Sequence, residues 1–226
     1  MAPLARPVLA LLLLVPAPTL GVVMALVVAP GPLGQAVWAL CKLWILCLPF
    51  VWLRWVERRP PSLSPPRRGG FLAAFFLGLL MSGFVYLAYT YVGGRWIEVE
   101  AFQRRVVKMG LGNPVAYLGF AAYTTLVNSL LEEYVWRWFV FRRCEDLLPG
   151  PAAVAASALF FTLHHAVTLQ IQLGWQTALL SSLGIFVGAA VWSWCYLRYR
   201  SIWPGYLSHV IVDVTALWIG YQLLFA

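Results

Sequence analysis

Three clusters of polar side chains, each set in an otherwise apolar stretch, are the residues of this sequence whose types and spacing could do chemistry. Glu132 and Glu133 come first, His164 and His165 stand in the next stretch, and His209 with Asp213 lies in the last. All three histidines of the chain are among them. An ionisable side chain in a bilayer core costs at least about 2.5–3.5 kcal/mol on insertion scales, so each one is a functional candidate by default. Spacing pairs them with neighbours: Glu133 with Arg137, Phe160 with His164, and His209 with Asp213, each four apart on one helical face. Glu132 points about 100° away from Glu133.

A carboxylate and two imidazoles around a wet pocket suit peptide-bond hydrolysis. The reaction needs a base to take a proton from water, and donors to hold the oxyanion and protonate the leaving amine. Glu133, paired with Arg137, keeps a structural task and leaves Glu132 as the base. Asp213, one turn from His209, is placed to fix its tautomer.

The elements that must position these residues follow from composition. Of 226 residues, 62% are hydrophobic and 11% charged, with mean hydropathy +0.80; soluble domains carry about a quarter charged residues. Twelve Trp and ten Tyr suit helix ends in the headgroup layer. The expected fold is all-α, a polytopic transmembrane helix bundle in a single domain over 1–226. About seven spans are expected, over 7–29, 35–53, 71–92, 114–136, 151–170, 174–197 and 203–225. The catalytic cavity would then lie among the fourth, fifth and seventh.

Pro30-Gly31-Pro32, the Pro60 to Gly70 segment, Gly112-Asn113-Pro114, Pro149-Gly150-Pro151, Gly174 and Pro204-Gly205 punctuate the spans. Val8 to Val15 also reads as a signal peptide, against which apolar character resumes at Val22 and continues to Ala29. Arg54, Arg58, Arg59, Arg67 and Arg68 put the second loop, and with it the N-terminus, in the cytoplasm. Arg137, Arg142, Arg143, Arg198 and Arg200 fall on the same side, and Arg95, Arg104, Arg105 and Lys108 on the other. The net charge of +8 sits in these short clusters, which excludes a nucleic-acid partner. Cys41, Cys47, Cys144 and Cys195 have neither metal-site nor disulfide-framework spacing.

Glu132-Glu133-Tyr134-Val135-Trp136-Arg137 resembles an EExxxR motif, Phe160 to His164 an FxxxH motif, and His209 to Asp213 an HxxxN/D motif. In this order the three resemble the CPBP family, which holds the type II CAAX prenyl endopeptidases and the bacteriocin-processing proteins. Residues 114–225 carry the likeness as a CPBP-like catalytic core. The resemblance implies an intramembrane endopeptidase in which Glu132 activates water and His164 and His209 assist. Asp213 stands where many members have Asn. Phe161 to His165 reads FxxxH as well; Ser157, three before Phe160, favours His164.

Glu132, His164 and His209 could supply three zinc ligands with water as the fourth. No HExxH occurs and the three come singly from different helices, so no cofactor is assigned and a metal-free glutamate-dependent hydrolase is favoured. The expected partners are membrane lipid and a protein or peptide substrate, prenylated or carrying a sorting signal, in a bacterial cell membrane. A non-catalytic adaptor on the same fold and a proton-coupled transporter are the competing readings.

Overall fold

In the computed structural model the described residues are 4–60, 62 and 64–226; Pro61, one of the prolines expected to break the chain, lies outside them. Among the described residues there are helices and no strand. The long helices are α1 (Ala5–Val28), α2 (Pro32–Val56) and α3 (Phe71–Tyr91), then α4 (Val99–Lys108) and α5 (114–145), and last α6 (Gly150–Leu173), α7 (Trp175–Tyr199) and α8 (Ile202–Phe225).

Local chemistry sets the boundaries. Asn113 Oδ1 accepts from the amides of Val115 and Ala116 at 2.8 and 3.4 Å, and Pro114 occupies the first turn of α5. Ser201 caps α8 by accepting from Trp203 N. Its hydroxyl also donates to Ser64 O at 2.8 Å, and Ser64 Oγ accepts from Ile202 N at 3.2 Å, which fastens the α2–α3 loop to the start of α8. Gly70 ends that loop at φ +97°, so close to Tyr199 that a Cβ would lie 2.6 Å from the ring.

Among the described residues six helices, α1–α3 and α6–α8, are long and apolar enough to cross a membrane. The chain is an integral membrane protein of helix-bundle type. Residues 114–136, expected as a further span, form part of α5, which differs from the six in carrying Asn128, Glu132, Glu133 and Arg137. α5 also runs on to residue 145. Arg137 is therefore a fully buried side chain and not a loop cation, and the arginine count on its side falls by one. The connector before α5, read as a plain loop, holds α4; Gln103 there donates to Leu223 O at 2.9 Å.

α5 is the axis of the bundle, packed against α1, α2, α6, α7 and α8. Its Val135, Trp136, Trp138, Phe139, Val140 and Phe141 are all buried in the core. α6 and α7 pair along their length, with small buried residues on both: Ala153, Ser157 and Ala158 on one, Gly188, Ala189 and Ser193 on the other. Without a hydrophobic drive between helices in lipid, such residues let backbones approach and gain contact. α3 meets α8 the same way, at Gly78, where a Cβ would lie 3.2 Å from Ser208 Cα. Outward side chains such as Leu12, Leu72, Phe76 and Val115 are at least 60% exposed, a surface suited to lipid and not to water.

Candidate active site

Two segments of α5, Tyr123–Asn128 and Glu133–Phe141, have turns widened to i→i+5 hydrogen bonding; Glu132 ends the α-helical turn between them and Glu133 begins the second. Wide turns of this kind recur at functional sites. Glu133, fully buried, points one oxygen at two partners: Oε1 lies 3.1 Å from Arg137 Nη1 and 3.1 Å from His209 Nδ1. The arginine contact is an ion pair without hydrogen-bond alignment, for none of the three guanidinium nitrogens has a hydrogen-bond partner. Aromatic faces hold the cation instead, with Arg137 Cζ 4.6 Å from the Phe161 ring centre and 4.9 Å from that of Trp192.

Glu132 sits at the end of a relay that starts on α2. Lys42 Nζ donates to Asn128 Oδ1 at 2.9 Å, and Asn128 Nδ2 donates to Glu132 Oε1 at 2.8 Å. A cation at the carbonyl end and an anion at the amino end fix which way the amide points. Glu132 Oε2 is left facing His209 Nε2 at 3.7 Å, and Asp213 Oδ1 lies the same 3.7 Å from that nitrogen. Ser129 Oγ donates to Asp213 Oδ2 at 2.5 Å.

Rings wall the site. Trp192 stacks on His209 with centroids 3.8 Å apart, and Trp136 lies parallel to His164 at 5.3 Å. Phe161 meets His164, His165 and His209 edge-on, at 5.6, 4.5 and 6.3 Å. Gly205 leaves room beside Glu133, since a Cβ there would come within 2.6 Å of Oε2.

The structure thus gathers Glu132, Glu133, Arg137, His164, His209 and Asp213 from α5, α6 and α8. Two details differ from the sequence expectation. His209 Nδ1 is held by Glu133, so the nearer orienting carboxylate is Glu133 and not Asp213. Phe160 is only partly buried, while Phe161, one position on, supplies the ring among the histidines. His165 joins His164 at the site, their centroids 4.1 Å apart. Sequence reasoning passed over Lys42, Asn128, Ser129 and Trp192. A lone cation in an apolar span was the available signal for Lys42, and a position four before Glu132 the signal for Asn128.

Glu132, His164 and His165 each bring a ligand atom within 4.8 Å of the others. His164 Nδ1 and His165 Nε2 are buried with no hydrogen-bond partner. Two imidazoles and a carboxylate are a donor set that zinc accepts, so these residues fit a metal ion, with His165 in place of the expected His209.

Residues 114–215 match the Rce1-like family, described as type II CAAX prenyl endopeptidase Rce1-like. No curated protein and no solved structure matches the chain.

Proposed function

Given that residues 114–215 are Rce1-like, we propose that the chain is an intramembrane endopeptidase hydrolysing a peptide bond of a membrane-delivered protein or peptide, with Glu132 as the base. The observation that carries this reading is the division of the Glu132 carboxylate: Asn128 occupies Oε1, and Oε2 is turned to His209 Nε2. A gap of 3.7 Å exceeds a direct hydrogen bond and suits a bridging water. Oε2 takes a proton from that water as its oxygen attacks the scissile carbonyl carbon. With Nδ1–H donated to Glu133, and with Glu132 and Asp213 facing Nε2, His209 acts as the imidazolium and donates Nε2–H to the developing oxyanion, while the proton held on Glu132 passes to the leaving amine. Glu133 orients His209 and counters Arg137, and Asp213, held by Ser129, lines the far side of the same nitrogen. His164 and His165 complete the wall opposite.

Were zinc bound, Glu132, His164 and His165 would hold it and it would supply Lewis-acid polarisation of water. The favoured version is metal-free, in which activity survives a strong chelator. The substrate class we infer is a membrane-associated protein or peptide tail, prenylated or carrying a sorting signal.

The test is Glu132→Gln, which keeps size and polarity but removes the base. Cleavage of a membrane-delivered CAAX-type peptide, read by mass spectrometry of the released fragment, is expected to fall about 10²–10⁴-fold. The variant should still elute and unfold as wild type does. His164→Ala and His209→Ala are expected to follow it, and His165→Ala reports whether the second histidine shares the work. Full processing by Glu132→Gln would remove the protease assignment from this site and favour a non-catalytic adaptor.

A further inference from the structure

At the end of the bundle that carries the α2–α3 loop, guanidinium charge exceeds what the carboxylates there can pair. Arg200 takes both oxygens of Glu145, at 2.6 and 2.7 Å. Arg143 ion-pairs with Glu57 and lies 3.5 Å from Asp146. Arg67, Arg68 and Arg142 remain. Among the described residues no carboxylate pairs with any of the three, and Arg142 is bonded to the Tyr196 hydroxyl.

These three line a cavity of about 450 Å³ between the loop and the C-terminal ends of α5 and α7, together with Arg200 and the carboxylates Glu145 and Asp146, which are engaged by Arg200 and Arg143. The loop is tethered: Ser64 is buried and bonded to Ser201 and Ile202 at the start of α8, and Gly70 lies against the Tyr199 ring. The cavity also stands at a fixed depth. α2 ends at Val56, α3 begins at Phe71 and α7 ends at Tyr199, so it lies where the apolar spans stop and lipid headgroups begin.

We propose that this cavity binds a phosphoryl group, held by Arg67, Arg68 and Arg142 and delivered either by an anionic lipid headgroup or by a soluble phosphate ester. Guanidinium forks match phosphate oxygens two at a time, and basic clusters just outside membrane spans attract anionic lipid. Three guanidiniums offer more donors than a single peptide carboxylate can accept, which favours the phosphoryl ligand over a substrate C-terminus.

The test uses the full chain purified in a neutral detergent. Phosphatidylglycerol, phosphatidylcholine or inorganic phosphate is added, and thermal unfolding is followed together with native mass spectrometry of retained ligand. Phosphatidylglycerol is expected to raise Tm above the phosphatidylcholine value, because a ligand of the folded state stabilises it. In the double variant Arg67→Gln, Arg68→Gln that shift should largely vanish and the bound ligand weaken about tenfold. The ligand-free Tm should not move, since both side chains are exposed. Should the double variant fail to accumulate, Arg142→Gln must also weaken binding.

An arginine-dependent shift with inorganic phosphate alone identifies a soluble ester as the source, and one confined to phosphatidylglycerol identifies the headgroup. Three results would overturn the proposal: equal shifts in wild type and variant, no shift with either ligand, or an arginine-dependent shift produced only by a peptide with a free C-terminal carboxylate.

Discussion

Glu133 is the side chain with the most at stake, because one of its oxygens serves both Arg137 and His209 while the other has no hydrogen-bond partner and rests against Gly205. Replacing it with Gln leaves the buried guanidinium without a counterion. Breaking a buried pair from one side costs about 3–5 kcal/mol, so Glu133→Gln should lower the unfolding temperature and the yield of protein along with activity. An unchanged melting curve would show that Glu133 has no structural task. Gly205→Ala should act in the same direction, since its methyl would have to displace the carboxylate. The Glu133–Arg137 pair was legible from a spacing of four on one helix. The bond to His209 was not, since it depends on the register of α5 against α8, which no local pattern encodes. The same limit explains Phe160 and Phe161: both precede a histidine by four, and only packing against Trp136 and Trp192 selects Phe161.

Among the elements, α8 is the one whose start is shared with a loop. Ser201 caps the helix and also donates to Ser64 O, whereas Asn113 caps α5 and does nothing further. Asn113→Ala should cost about 1 kcal/mol, the usual cap value. Ser201→Ala should cost more, because it also leaves the buried Ser64 carbonyl without its donor. Chemical unfolding of the two variants in one detergent measures the difference, and equal losses would mean that the tether contributes nothing. Asn113 stands at a break marked in the sequence, whereas Pro204-Gly205, marked as the last break, lies within the first turns of α8, and Ser201 before it carries the cap. The length of α5 was less legible, because Arg137 reads as a loop residue until Phe161 and Trp192 are seen to enclose it. α4 was missed because a charged, amphipathic decapeptide in a connector resembles a solvated loop.

For the molecule as a whole, the arginines of the α2–α3 loop predict its side of the membrane. A cysteine placed among residues 58–68, after removal of Cys41, Cys47, Cys144 and Cys195, should resist an impermeant thiol reagent in intact cells, and one near Arg104 should react. The reverse pattern would invert the molecule and move the arginine-lined cavity to the outer face. Loss of Arg137 from the count weakens the bias but keeps its sign: nine cations remain on the loop side and four on the other. The bundle class was legible from hydropathy because lipid demands apolar outer faces. The pairing of α3 with α8 was not, because it rests on Gly78 and Ser82, small residues that hydropathy does not single out.

Lys42 and Asn128 are 86 residues apart, and that separation becomes a delay while the chain is being made. At roughly 5–20 residues per second, some 4–17 s pass between the ribosome adding the lysine and adding its partner. Through that interval α2 carries an ammonium with nothing to accept its hydrogen bonds, in a segment where such a charge opposes insertion by about 2.5–3.5 kcal/mol. α2 must therefore wait at the translocon or hold the lysine toward an interface until α5 arrives, so the contact that aims the candidate base cannot form before α5 does, and the bonds of His209 and Asp213 to α5 wait longer still, for α8.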